Sequence, residues 1–182
     1  EVHAVGRKRF AHQRVGEHIA AIAAVSLGYQ QAVKAELGRL LVGLVGEGAV
    51  DVALAHVLAA NLAVEAMSLI GIHYRRGGTS PEAGLDCSGL VRYVFRQANG
   101  TELPRTSAEI SRVGEHIDKK DLQPGDLVFF NTLKRAFSHV GIYLGDNKFI
   151  HAPSSGGTVR VDSMDLDYWK ARFNGARRIV ST

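Results

Sequence analysis

The feature that most constrains this chain is a change of hydrophobic period near residue 124. Before that point, apolar residues recur at helical spacing, which predicts helices over about 62–70, 87–98 and 106–113. After it, short apolar runs alternate with turn residues. They predict strands at about 127–130, 139–144, 148–152, 158–162 and 176–180, with a short helix near 165–172. Helices followed by a meander of short strands are typical of an α+β domain, so we expect helices packed on a small antiparallel sheet.

Residues 1–61 differ from the rest because they contain no Pro, Trp or Cys. Basic residues at positions 7–9 and 14 precede an apolar stretch over 19–27, a pattern that loosely resembles a secretory signal. The alternative is an Ala-rich helix weakened by its glycines. We predict an N-terminal extension of unknown role over 1–61, helical or poorly ordered. A second domain is expected over 62–182, with Asn61 capping its first helix. The first residue is Glu1 rather than Met, so we expect the natural start to precede it.

Composition sets further bounds. The net charge of +4 favours an anionic partner, such as a cell wall, a membrane surface or a nucleic acid. The single cysteine excludes an internal disulfide and a C-x-x-C site. No apolar run approaches the roughly 18 residues that a membrane-spanning helix needs.

That cysteine, Cys87, lies where a Gly-rich loop turns into a helix, within Leu85-Asp86-Cys87-Ser88-Gly89-Leu90. Unpaired backbone N–H groups and the helix dipole favour negative charge in a first turn. We therefore expect a thiol with a lowered pKa, rich in the nucleophilic thiolate. The alternative is a buried structural cysteine, a common state of the free thiol.

A cysteine nucleophile needs a base, and the base needs a group that orients it. His139 and His151 fall on two consecutive predicted strands. A three-residue loop over 145–147 would pair Leu144 with Lys148 and place both imidazoles on one face, with Gly141 leaving room between them. A two-residue loop would place them on opposite faces. We predict the odd-length loop. A zinc site with Asp86 as fourth ligand remains an alternative.

Five segments, in order, resemble the NlpC/P60 family of cysteine peptidases. They are Tyr74-Arg75-Arg76-Gly77-Gly78, Leu85–Leu90, Leu103-Pro104-Arg105-Thr106-Ser107, Pro124–Phe130, and the hairpin of His139–Gly145 with Phe149–Ala152. The resemblance covers residues 61–182, approximately, and within the family this segment is most like the envelope-lipoprotein branch. Ile110 stands where many members have Gln, which would alter contacts in the groove.

The resemblance implies a papain-like core in which a helix carrying the nucleophile packs on a small antiparallel sheet. It makes Cys87 the nucleophile, His139 the base and His151 the orienting member. Tyr74 would line the site and help stabilise the oxyanion with the Cys87 backbone N–H. Asp86 and Ser88 would contact the substrate, and Arg105 is expected to contact it or to form a structural ion pair.

The implied function of 62–182 is hydrolysis of an amide bond in peptidoglycan stem peptides through a thioester. The bond would join γ-D-glutamate to a diamino acid, or form a peptide cross-link. We expect no cofactor or metal, no nucleic-acid partner, a monomer, and a periplasmic or envelope location in bacteria. Membrane association through a lipid anchor or signal missing from the sequence is left open. The alternatives are a degenerate wall-binding module and a thiol acyltransferase or thioesterase on the same core.

Overall fold

The computed structural model describes residues 47–132, 134–154 and 157–179. The chain divides into two compact units, Glu1–Ala53 and Leu54–Thr182. Of the first unit only the start of one helix is described. The signal-like pattern and most of the predicted N-terminal extension therefore lie outside the described residues. The domain boundary at residue 61 stays a prediction.

Helix α1 (Glu47–Ser68) carries the first correction, because Asn61 lies inside it rather than at its start. Its residues from 47 to 60 are rich in Ala, Val and Leu, which have either high helix propensity or apolar surface to bury. Gly71, with φ of 92°, follows the turns that end it, as the sequence indicates. Among the described residues no helix is both long enough and apolar enough to span a membrane.

Three short elements precede the sheet. A two-stranded ribbon of β1 (Thr79–Ser80) and β2 (Gly84–Leu85) leads into α2 (Cys87–Asn99), which ends at Gly100 in the left-handed conformation, as predicted. Helix α3 (Ser107–Ile110) lies within the predicted span of 106–113 and begins with a capping box of Thr106 and Glu109. The ribbon was not predicted.

The second half forms a six-stranded antiparallel sheet with the order β3-β8-β4-β5-β6-β7. Its strands are β3 (Glu115–Ile117), β4 (Leu127–Phe130), β5 (His139–Gly145), β6 (Lys148–His151), β7 (Arg160–Ser163) and β8 (Phe173–Arg178). A 3-10 turn spans Lys119–Asp121, and α4 (Asp167–Lys170) lies between β7 and β8. The expected antiparallel sheet is therefore present. Strand β3, which no hydrophobic alternation marks, was missed.

Two apolar clusters cover the sheet. In the first, the apolar stripe of α2, including Leu90, Val94 and Phe95, packs with sheet residues such as Phe129 and Ile142. The second cluster groups Val128, Phe130, Tyr143, Phe149, Met164, Trp169 and Ala176. Alternation along each strand assigns the two sets to opposite faces. The first cluster holds α2 against β5 and so sets where the first turn of the helix lies.

Candidate active site

Cys87 is the first residue of α2, as the sequence predicts. The side chain of Asp86 caps this helix by accepting the Gly89 N–H at 2.7 Å. A Cβ at Gly89 would collide with the carbonyl oxygen of Gly78, so only glycine lets the preceding loop lie against the first turn. The Asp-Cys-Ser-Gly sequence thus holds the thiol at a fixed point between the loop and the helix.

The expectation of a lowered thiol pKa is wrong. Burial and the neighbouring Asp86 carboxylate raise the pKa of Cys87, and they outweigh the backbone N–H groups of Val140, Ser88 and Cys87 that lower it. The first-turn position therefore supplies donors to the sulfur but does not ionise it. The Val140 contact also places the thiol beside the start of β5, next in the chain to His139.

The two imidazoles meet as predicted, with Nε2 of His139 2.9 Å from Nδ1 of His151. The loop prediction behind that meeting is wrong, because Gly145 pairs with Lys148 across a two-residue turn. Asp146 and Asn147 both have positive φ, as the favoured two-residue hairpin turns require. A bulge between Tyr143 and Gly145 absorbs the extra residue and restores the pairing of Tyr143 with Phe149. The two rings therefore share a face despite the even loop.

Gly141 was expected to leave open space between the imidazoles, but its surroundings are closely packed. A Cβ there would lie 2.7 Å from Cδ2 of Phe149, 2.8 Å from the Ile150 carbonyl oxygen and 3.2 Å from the His151 Cβ. The region beside the imidazoles is thus filled by β6 itself. Glycine is required because the two strands approach so closely.

Both imidazoles are deeply buried, with His139 3% exposed and His151 fully buried. Burial, reinforced by His151, lowers the pKa of His139 to about 3, and burial lowers the pKa of His151 to about 4. The Trp169 indole stacks on the His139 ring, with centroids 5.5 Å apart and planes at 22°. Near neutral pH, the thiol and both imidazoles are therefore neutral.

The sequence analysis missed Asp162, which bonds to the far side of His151. Its Oδ2 atom lies 3.0 Å from His151 Nε2 and accepts the Trp169 indole N–H at 3.1 Å. Arg160 donates to the same carboxylate from Nε at 3.1 Å. The signal was an Asp at the end of the predicted strand 158–162. The pairing of that strand with β6 could not be assigned from the sequence, because the loop between the two strands is not of a length that fixes a hairpin register.

The remaining predicted residues line an open groove of about 920 Å³ beside the thiol, together with Arg76 and Arg135. Tyr74 lies in its wall, and burial followed by Cys87 raises the pKa of the phenol. Arg105 donates to both Asp86 oxygens, at 3.1 Å and 2.5 Å, and to Ser88 Oγ at 2.8 Å. Despite burial, these bonds lower the pKa of Asp86.

The zinc alternative required Asp86 to join Cys87 and the imidazoles. Asp86 instead engages Arg105, Ser88 and two backbone N–H groups, of Gly77 and Gly89. In the described part of the chain, no group of three or more His, Cys, Asp or Glu side chains is arranged to hold a metal ion.

A partly buried cysteine at a helix start, a histidine pair on two paired strands and a polar groove that the cysteine lines invite comparison with known proteins. The model of the NlpC/P60 family matches residues 71–178. The chain belongs to the NlpC/P60 family. The α+β fold expected from the resemblance is confirmed.

Other NlpC/P60 proteins are similar in sequence and structure. The chain is 46% identical over 115 residues to gamma-DL-glutamyl hydrolase of Bacillus subtilis, covering 63% of this chain and 28% of that protein. It is 45% identical over 111 residues to murein DD-endopeptidase MepS/murein LD-carboxypeptidase of Escherichia coli K12, covering 61% and 57%. The structure of the peptidoglycan hydrolase RipB of Mycobacterium tuberculosis is 28% identical with a TM-score of 0.61, covering 82% of each chain.

The matched region thus spans less than two thirds of both sequence relatives. The two relatives carry names for different bonds, one a gamma-DL-glutamyl linkage and the other a DD linkage. Identity of this order therefore does not distinguish between the two linkages.

Proposed function

We propose that this protein is a peptidoglycan endopeptidase of the bacterial envelope that cleaves an amide bond in stem peptides with Cys87 as nucleophile. The observation that carries the proposal is the 2.9 Å contact between the imidazoles of His139 and His151. His139 directly precedes Val140, whose backbone N–H contacts the Cys87 thiol. Membership of the NlpC/P60 family supports the substrate class, as do relatives named murein DD-endopeptidase and peptidoglycan hydrolase.

In the proposed reaction, His139 accepts the Cys87 proton as the sulfur attacks the amide carbonyl carbon. General-base activation fits a neutral thiol and a neutral imidazole better than a preformed ion pair does. The Cys87 backbone N–H and the Tyr74 hydroxyl would donate to the oxyanion, at about 3 kcal/mol of barrier lowering per donor. His139 then protonates the leaving amine, and water hydrolyses the thioester.

The groove favours a peptide over an acyl chain. The described residues of its wall include Arg76, Arg105 and Arg135 and, as the one carboxylate among them, Asp86, which Arg105 already neutralises. An uncompensated positive groove suits a stem peptide that carries free carboxylates. A thioesterase or acyltransferase would need an apolar channel, so this alternative is disfavoured. A wall-binding module without catalysis would have no use for the Cys87 and imidazole arrangement.

The test is to digest purified sacculi with the wild type, Cys87→Ala and His139→Gln, and to identify released muropeptides by mass spectrometry. His116→Gln is the matched control, because His116 is exposed on β3 away from the groove. We expect products from the wild type and His116→Gln only. Products ending at D-glutamate with a new amine on the diamino acid would assign the γ-D-glutamyl bond, and split cross-links would assign the other. Undiminished cleavage by Cys87→Ala would contradict the proposal.

A further inference from the structure

We infer that Asp162 is a positioning residue that fixes the tautomers of both imidazoles in series, leaving Nδ1 of His139 as the atom that takes the Cys87 proton. The inference rests on the proposed function, and it concerns a residue outside the predicted Cys-His-His set. It follows from the four groups around Asp162: His151 on β6, Arg160 on β7, Trp169 on α4 and, one ring further, His139 on β5.

The argument begins with the protonation of Asp162. Trp169 Nε1 and the Arg160 guanidinium can only donate, and both donate to this carboxylate. A carboxyl group with two such neighbours is held as an acceptor, and these bonds lower the pKa of Asp162 despite its burial. The Asp162 oxygen that faces His151 therefore carries no proton near neutral pH.

The proton on the 3.0 Å contact between Asp162 Oδ2 and His151 then belongs to Nε2 of the imidazole. Because burial holds the pKa of His151 at about 4, the ring is neutral and carries one proton only. Its Nδ1 atom is consequently an acceptor. The carboxylate thus determines the hydrogen-bonding role of the opposite side of the ring.

The same reasoning applies to the second ring. Across the 2.9 Å contact, His139 Nε2 must donate to His151 Nδ1. His139 is also neutral, so its remaining nitrogen, Nδ1, has a free lone pair. When the thiol attacks, its S–H bond breaks and an N–H bond forms at Nδ1. The proton later passes from Nδ1 to the leaving amine nitrogen.

Asp162 also acts on the charge that this transfer creates. Its negative charge raises the pKa of both His139 and His151, in opposition to burial and to Arg160. Without Asp162, the pair of His139 and His151 would be a weaker base and would not be confined to the productive tautomer. Loss of such an orienting carboxylate from a serine-protease triad lowers kcat by about 10⁴, so an effect two groups from the nucleophile is expected to be smaller.

The experiment compares Asp162→Ala, Asp162→Asn and Asp165→Asn. Asp165 is exposed three residues on, so its variant removes the same charge without touching an imidazole. In ¹⁵N-histidine NMR spectra of the resting wild type at pH 7, we expect both rings to be protonated on Nε2. Asp162→Ala should show tautomer averaging. Asp162→Asn should retain the tautomers, because the Trp169 indole N–H donates to the same Oδ2 position that faces His151 and favours the rotamer with the amide oxygen there.

The kinetic readout uses the same variants. Asp162→Ala should lower kcat by about 100-fold and Asp162→Asn by about 10-fold, with KM changed less than about twofold. Asp165→Asn should match the wild type. A wild-type His139 protonated on Nδ1, or an Asp162→Ala protein with unchanged tautomers and kcat, would overturn the inference. Because the spectra need no substrate, they decide the inference even if the protein cuts no peptidoglycan. If Asp162→Ala fails to fold, a wild-type His139 protonated on Nδ1 still overturns the inference.

Discussion

The close approach of β5 and β6 at Gly141 predicts that Gly141→Ala damages stability and the imidazole contact together. The new Cβ would fall about 0.6 Å short of an ordinary 3.4 Å contact with the Ile150 carbonyl oxygen. That oxygen belongs to a strand paired on both sides, so it cannot turn aside as a side-chain tip could. Relief requires β6 to move as a unit.

The magnitude follows from that displacement. Overpacking of this kind costs about 1–3 kcal/mol of unfolding free energy. A shift of β6 by about 0.6 Å would lengthen the 2.9 Å contact between His139 and His151 to about 3.5 Å, where a hydrogen bond is largely lost. We therefore expect the turnover of wall fragments to fall by at least about tenfold.

Urea unfolding measures the stability change, and Gly157→Ala is the matched control. A Cβ at Gly157 meets the flexible end of Arg160 and the Pro153 ring at 3.2 Å, so it should change stability by less than about 0.5 kcal/mol. For an m value of about 2 kcal/mol/M, Gly141→Ala should lower the urea midpoint by about 1 M. Equal midpoints for both variants and the wild type would refute the packing argument.

Three other predictions follow from charge and burial. The rate of Cys87 alkylation by iodoacetamide should be low at pH 7 and should keep rising with pH beyond the usual thiol pKa of about 8.5, because burial raises the pKa of Cys87. A rate plateau below pH 7 would show a preformed thiolate and contradict this prediction. The pKa values of His139 and His151 are lowered to about 3 and about 4, so the unfolded chain binds protons that the folded chain lacks below pH 6.5. The unfolding free energy should fall by about 4 kcal/mol between pH 7 and pH 5, and equal urea midpoints at the two pH values would contradict this. Arg178→Gln leaves the buried Asp126 carboxylate without its paired 2.8 Å bonds and should lower the unfolding free energy by about 2 kcal/mol. Arg178→Lys should recover part of that loss. A wild-type urea midpoint for Arg178→Gln would exclude a stabilising ion pair.

Local signals predicted the elements that position the site. The apolar stripe of α2 and the start of that helix at Cys87 are decided within a few residues, and both lie where the sequence places them. The predicted meeting of His139 and His151 is also present, at 2.9 Å, although a bulge after Tyr143 rather than the predicted three-residue loop produces their shared face. These features need no knowledge of distant parts of the chain.

Features set by competition between local rules were less accessible. The residues after Tyr143 are compatible with a two-residue or a three-residue loop, and the bulge at Leu144 decides which faces meet. Asn61 has a capping side chain, yet the surrounding Ala-rich sequence continues the helix through it. Ile110 was expected near the groove but is fully buried in the core.

Long-range features could not be predicted. Asp162 reaches His151 only because β7 pairs with β6 in one register, with Phe149 opposite Asp162. The thiol pKa likewise depends on burial by loops that the helix-start argument did not include. Residues 1–46 lie outside the described part of the chain, and the role of the N-terminal extension stays a prediction.

The most direct test of Cys87 as the nucleophile is to trap its acyl-enzyme. The protein is mixed with wall fragments, quenched in acid within the first turnover, and its mass is measured before and after peptide mapping. We expect a mass increase equal to the acyl half of the stem peptide, located on the peptide that contains Cys87, and no increase in His139→Gln. Cleaved product with no adduct at any quench time, together with full activity of Cys87→Ala, would contradict the account.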